Sequence, residues 1–179
     1  DIWLQGATID SFCVGERLVI SKSEPVFGGV YKLSAVEING EVIPKIKLSE
    51  NVIKITNPHY KEVWRLFDNA SGKAIADVIT IAGEIIDSTI SYEIFDSEHI
   101  YKRKTLSNFT AKKLQEKIFD KGKCVYTSPL VAKIQNYCAE QLDTIWDEVK
   151  RFEDPHEYYV DLSQKLYDIK HELLNKHFR

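Results

Sequence analysis

Ile9 to Glu37 reads IDSFCVGERLVISKSEPVFGGVYKLSAVE, and this stretch decides how the rest of the chain is interpreted. An apolar strand at Ile9 leads into the turn Phe12-Cys13-Val14-Gly15-Glu16-Arg17, then into the apolar Leu18-Val19-Ile20, and Gly28-Gly29 opens a further strand. A glycine in a strand-end turn lets backbone N–H groups converge on an anion without interference from a Cβ, and an adjacent arginine can pair with phosphate. Cys13, Val14, Gly15, Glu16 and Arg17 are therefore the candidate phosphate-binding residues, in an arrangement expected at the edge of a larger enzyme's site. A single glycine between strands is also an ordinary turn, and Glu16 repels an anion unless its side chain points away.

The 179 residues allow one good hydrophobic core or two small ones. Hydrophobic residues make up 44% and charged residues 28%, with no apolar run near the roughly 18 residues that cross a bilayer. This composition reads as a soluble, cytoplasmic chain with no membrane partner. Net charge is -3, with 24 basic and 27 acidic residues interspersed, so no global field attracts a polyanion and nucleic acid is not an expected partner. Three widely spaced cysteines, Cys13, Cys124 and Cys138, form no CxxC pair and complete no metal site, which reads as reduced thiols. The chain lacks methionine and opens at Asp1-Ile2-Trp3-Leu4 with no signal-like leader, as expected of a downstream piece of a longer polypeptide.

From Val30 to Ile38 apolar residues mostly alternate, and Asn39-Gly40 separates them from Val42 to Leu48. Both turn residues tolerate positive φ, so a hairpin with a type I′ turn is expected, Pro44 marking an edge. Val63–Phe67, Ile75–Ile81, Ile90–Phe95 and Lys123–Tyr126 read as further strands, and the turn Asp68-Asn69-Ala70-Ser71-Gly72 as a domain boundary. Ser128-Pro129 should start a helix of roughly six turns, its stripe running Val131, Ile134, Cys138, Leu142, Ile145, Val149 and Phe152. Asp154-Pro155 should end it and begin a second, carrying Tyr159, Leu162, Leu166, Ile169 and Leu173, the two packing as a long antiparallel hairpin. The expected fold is α+β: residues 1–67 contain β-hairpins, and residues 68–179 form a small mixed domain of strands followed by the helical pair.

Lys45, Lys47, Lys54, Lys61 and Arg65 form a second basic set, which also suits a solvated edge, and Lys102-Arg103-Lys104 reads as a solvated turn. The triplets Asn69-Ala70-Ser71 and Asn108-Phe109-Thr110 match a glycosylation pattern that matters only in a secreted chain. None of His59, His99, His156, His171 and His177 has a partner at metal or triad spacing, so neither a catalytic nor a metal-ligating residue is assigned.

Four stretches, GVYKLSAVE, KIKLSENVIKITNP, GKAIADVIT and the tail QLDTIWDEVKRFEDPHEYYVDLSQKLYDIKHELL, resemble the C-terminal part of bacterial nicotinate phosphoribosyltransferases, along the whole chain. The resemblance implies an enzyme that joins nicotinate to phosphoribosyl pyrophosphate, giving nicotinate mononucleotide and pyrophosphate with ATP hydrolysis, in NAD salvage. It implies that residues 1–67 close an irregular α/β barrel and that residues 68–179 are a C-terminal extension, in a homodimer with a shared active site. No cofactor is expected to be tightly bound; ATP and Mg act as co-substrate and ion of the full-length enzyme. The family's glycine turn has the form Phe or Trp, Gly, Val or Ile, Gly, Thr and holds the 5′-phosphate of the ribosyl substrate. Phe12, Val14, Gly15 and Leu18 match it, whereas Cys13 replaces the first glycine and Glu16 the threonine. The family's phosphorylatable histidine and nicotinate-binding residues precede the matched region, so these 179 residues alone are expected to be inactive. A different expectation is a non-catalytic interaction module derived from the same region. An independent nucleotide-binding domain is disfavoured, because neither GxGxxG nor GxxxxGK[ST] occurs.

Overall fold

Asn39 and Gly40, at φ of 54° and 81°, turn the chain between β1 (Ala35–Ile38) and β2 (Glu41–Pro44), paired antiparallel from Ile38 opposite Glu41 to Ala35 opposite Pro44. Two left-handed residues match the twist of the flanking strands, and Pro44 stands at the end of the ladder, where a missing N–H is tolerated. This element belongs to the computed structural model of the chain, which describes residues 5–11, 13, 15–22, 25–26, 29–51 and 54–177. The chain divides into two units, Asp1–Lys32 and Leu33–Arg179.

In the first unit the regular element is a single helical turn, α1 (Glu16–Val19). The apolar Leu18-Val19 thus lies in a helical turn, and the strand expected at Ile9 is not formed. Gly15 ends the preceding segment in extended backbone, Glu16 sits favourably at the helix start, and Ser21 at φ 48° closes the turn. The β-branched Val19 and Ile20 find no ladder among the described residues, and β propensity is realised only where a strand has something to pair with. Residues 29–34 are irregular as well, the strand beginning at Ala35 rather than at Val30.

The second unit is α+β, with several small sheets. Its largest sheet has four strands in the order β10-β4-β3-β7, with β3 Lys61–Asp68, β4 Ala74–Ile81, β7 Phe109–Lys113 and β10 Val160–Leu162. β3 pairs antiparallel with both β4 and β7, and β10 lies parallel to β4. The Asp68–Gly72 turn joins β3 to β4 inside this sheet, Asp68 accepting hydrogen bonds from the Ser71 amide (2.9 Å) and hydroxyl (2.6 Å).

Alternation along the strands separates two buried layers. Leu66, Ala76, Val78 and Phe109 pack with Ile86, Ile94 and Leu106, the last two on a hairpin of β5 (Tyr92–Phe95) and β6 (Arg103–Leu106). Ile81 and Leu162 pack with Leu166 of α4 (Gln164–His177). A short pair, β8 (Phe119–Asp120) with β9 (Lys123–Cys124), leads to α2 (Val131–Asp143) and α3 (Asp147–Lys150).

The long helical hairpin is corrected by this arrangement. α2 stops at Asp143 because the start of β4 takes over its end: the Ala74 amide donates to the Thr144 carbonyl (2.8 Å) and Lys73 Nζ to the Asp143 carbonyl (2.6 Å), while Trp146 Nε1 donates to the Ala74 carbonyl (3.0 Å). The second helix begins at Gln164, after Val160-Asp161-Leu162 has joined the sheet. Its packing partner is β4, and α2 has no buried residue.

Candidate functional site

The glycine turn is open. Cys13, Gly15, Glu16 and Arg17 are all exposed, and Val14, like Phe12, lies outside the described residues. Gly15 has φ −98° and ψ −176°, and among the described residues a Cβ built on it would meet no atom within 4 Å beyond its chain neighbours. Glycine is therefore not required here by local strain or packing, and the space beside it is free for another group. The Gly15 carbonyl accepts from the Leu18 (3.1 Å) and Val19 (3.3 Å) amides. The amides of Glu16 and Arg17 begin the helical turn, where a backbone N–H has no acceptor within the helix.

The basic set of the hairpin region is not brought together. Lys45, Lys47 and Lys54 are exposed. Lys61 is turned onto backbone carbonyls, donating to Asn57 (2.8 Å), Pro58 (3.4 Å) and His59 (2.7 Å), and burial lowers its pKa. Arg65 grips Asp77 across β3 and β4 with Nε and Nη2 at 2.8 and 2.9 Å, and Tyr158 donates its hydroxyl to the same carboxylate at 2.9 Å. Hydrogen bonding to Asp77 raises the Arg65 pKa, and burial beside Asp77 raises that of the Tyr158 phenol. This network is nearly buried and fully paired, so its work is to hold β3, β4 and the segment before β10 together. A lone Asp in the apolar run AIADVITI, opposite an arginine, was the available sequence signal for it.

Arg103 and Lys104, expected in a turn, lie in β6; Arg103 pairs with Glu93 and covers the Phe95 ring at 4.8 Å. The two glycosylation-like triplets meet: Asn69 Nδ2 donates to Asn108 Oδ1 (3.2 Å) and Thr110 donates to Asn69 Oδ1 (2.6 Å), joining the ends of β3 and β7. Asp96 accepts from the His99 ring (2.9 Å) and from the Glu98 and His99 amides. Burial pushes its carboxyl up, yet these hydrogen bonds outweigh it and hold the pKa near about 2. Among the described residues no three His, Cys, Asp or Glu side chains gather as metal ligands, and no helix is long and apolar enough to cross a membrane.

Clefts lie in the second unit. One of about 600 Å³ runs between β6 and the α3 region, with Lys104, Trp146, His156 and Tyr158 on its walls. Another of about 580 Å³ is lined by Lys112, Lys113, Tyr126, Lys133 and Tyr137.

Comparison with known proteins identifies the family. A family model described as the nicotinate phosphoribosyltransferase C-terminal domain matches residues 60–170, more than half of the chain. The nicotinate phosphoribosyltransferase of Bacillus subtilis (strain 168) is 37% identical over 166 residues, covering 93% of this chain and 34% of that protein. Its namesake in Dictyostelium discoideum is 31% identical over 180 residues, covering 94% of this chain and 29% of that protein. The crystal structure of human nicotinic acid phosphoribosyltransferase superposes with a TM-score of 0.60 at 20% identity, over 66% of this chain and 24% of that one, which shows a shared fold. The chain thus spans about a third of the length of the curated relatives it matches. It belongs to the nicotinate phosphoribosyltransferase family, with the family's C-terminal domain at residues 60–170.

Proposed function

We propose that these residues are the C-terminal part of an enzyme that joins nicotinate to phosphoribosyl pyrophosphate, forming nicotinate mononucleotide and pyrophosphate in NAD salvage. The observation that carries this reading is the 37% identity to the Bacillus subtilis enzyme across 93% of the chain. Within it, the residues ahead of the C-terminal domain close the α/β barrel, the C-terminal domain at residues 60–170 is the extension, and the working form is a cytoplasmic homodimer. Turnover is coupled to ATP hydrolysis, with Mg as the ion of ATP.

Cys13, Val14, Gly15, Glu16 and Arg17 hold the 5′-phosphate of the ribosyl substrate. Support comes from the open space beside Gly15, from the first-turn amides of Glu16 and Arg17, and from the exposed Arg17 guanidinium. The phosphate is bound by backbone N–H groups and Arg17, while Glu16 turns outward. Bond making belongs to residues outside the 179, so the isolated chain is inactive. The unburied α2, with Val131 71% and Ile134 47% exposed, favours a piece that packs on further structure over a self-contained interaction module.

The test is substitution of Gly15 in the complete enzyme. Gly15→Val should raise the KM for phosphoribosyl pyrophosphate at least tenfold with thermal stability unchanged, since a Cβ there meets no atom of the described residues within 4 Å. An unaltered KM would remove the phosphate assignment.

A further inference from the structure

Asp161 lies at the centre of β10, paired with Val78, on the sheet face covered by the β5–β6 hairpin. It is 5% exposed, and among the described residues its carboxylate has neither a hydrogen-bond nor an ion-pair partner. A buried carboxylate without a partner is costly, and native structures rarely leave one unexplained. Asp161 is not sealed from solvent: it lines two clefts, of about 340 and 300 Å³, which share Asp96, Lys102 and Tyr159.

The first cleft has apolar walls from Ile75, Ile94 and Phe95. Two of the three basic groups around it are engaged, Arg103 with Glu93 and Lys102 with Asp96 at 3.8 Å. Lys104 stands exposed on the wall with no ion pair among the described residues. The charge felt by Asp161 from Asp96 has its own sign, which adds to the demand for a cation.

We propose that this cleft binds an organic cation, an ammonium or guanidinium group on a short apolar stem, with Asp161 as the buried counter-ion and Ile94 and Phe95 against the stem. A charge-assisted pair with a carboxylate satisfies Asp161, and the apolar walls favour an organic cation over an inorganic one. The same chemistry is offered by a free small molecule or by a lysine or arginine side chain of a longer polypeptide. The inference is independent of the phosphate assignment at Gly15.

The experiment titrates the ¹⁵N-labelled 179-residue chain with butylguanidinium and with its neutral isostere butylurea, following amide shifts by NMR. Saturable shifts at Ile94, Phe95 and Asp161 with butylguanidinium are expected, at least tenfold weaker with butylurea and abolished in Asp161→Asn. The same spectra report whether the variant is folded. Lys104→Met, an exposed change, should tighten butylguanidinium binding severalfold by removing a like charge. Repeating the titration in the complete enzyme separates the sources: unchanged binding points to a free ligand, and loss of binding with an Asp161 that titrates as a paired carboxylate points to an internal basic side chain. Equal binding of the two probes, binding undiminished in Asp161→Asn, or no binding in the 179-residue chain would each overturn the proposal.

Discussion

Asp161 shows at the scale of one residue how burial becomes a measurable property. Burial, and secondarily the charge of Asp96, push its pKa from 3.8 up to about 6. The folded chain therefore holds this proton more tightly than the unfolded chain, and stability falls as pH rises through the interval between those values. In the absence of added cation, Asp161→Asn should be more stable than the parent above about pH 6, by at most about 3 kcal/mol, and the difference should vanish below about pH 4. Denaturant titrations at both pH values check this; a difference independent of pH would mean that folding leaves the carboxyl's hold on its proton unchanged, and a penalty growing above about pH 4 would mean that the carboxylate is already paired. Asp77 is the opposite case, a nearly buried carboxylate with two partners. Asp77→Asn leaves the Arg65 guanidinium without its counter-ion and should cost roughly 3 kcal/mol at neutral pH by the same titration. The sequence marks Asp77 only by its interruption of an apolar run, and Asp161 falls in the stretch whose stripe Tyr159, Leu162, Leu166 reads as helix, so its place in a strand was hidden. Gly15 is singled out only by the family pattern that its neighbours carry, and the structure gives it no steric necessity of its own.

Local chemistry and long-range pairing divide the elements in the same way. The β1–β2 hairpin, β3 and β4 follow from Asn39-Gly40 and from runs of β-branched and aromatic residues, signals contained within a few positions. β6 and β7 carry Arg103-Lys104-Thr105 and Thr110-Ala111-Lys112, whose polarity hides them; only Leu106 and Phe109, buried against β3 and β4, declare the face. β10 lies where the sequence spacing predicts helix, because Leu162 fits both a period of two and the periodicity of the helix that follows. What separates them is Ser163: its hydroxyl accepts from the Leu166 amide (3.3 Å) and donates to Glu84 (2.9 Å), fixing the start of α4 after the strand. Ser163→Ala should destabilise the chain by about 1 to 2 kcal/mol, seen as loss of helical signal at lower denaturant. Leu166, fully buried between α4 and the sheet, should cost roughly 2 to 5 kcal/mol when replaced by alanine. A loss below 1 kcal/mol in Leu166→Ala would mean that α4 is not seated on β4.

On the scale of the whole molecule, the chain has a well-packed sheet layer and elements whose apolar residues face solvent, such as Val131, Ile134 and Tyr137 on α2 and Leu18 and Val19 on α1. A short amphipathic helix with nothing buried gains little from its own propensity, so such elements take their stability from further packing. That pattern, with coverage of about a third of its curated relatives, is what a C-terminal portion of a larger enzyme requires. The measurement that tests this most directly is nicotinate mononucleotide formation from nicotinate and phosphoribosyl pyrophosphate, with and without ATP, comparing the 179-residue chain with the complete product of its gene. Activity in the complete protein, stimulated by ATP and absent from the 179 residues, is the predicted result. No activity in the complete, folded protein under either condition would contradict the assignment and leave a non-catalytic member of the family.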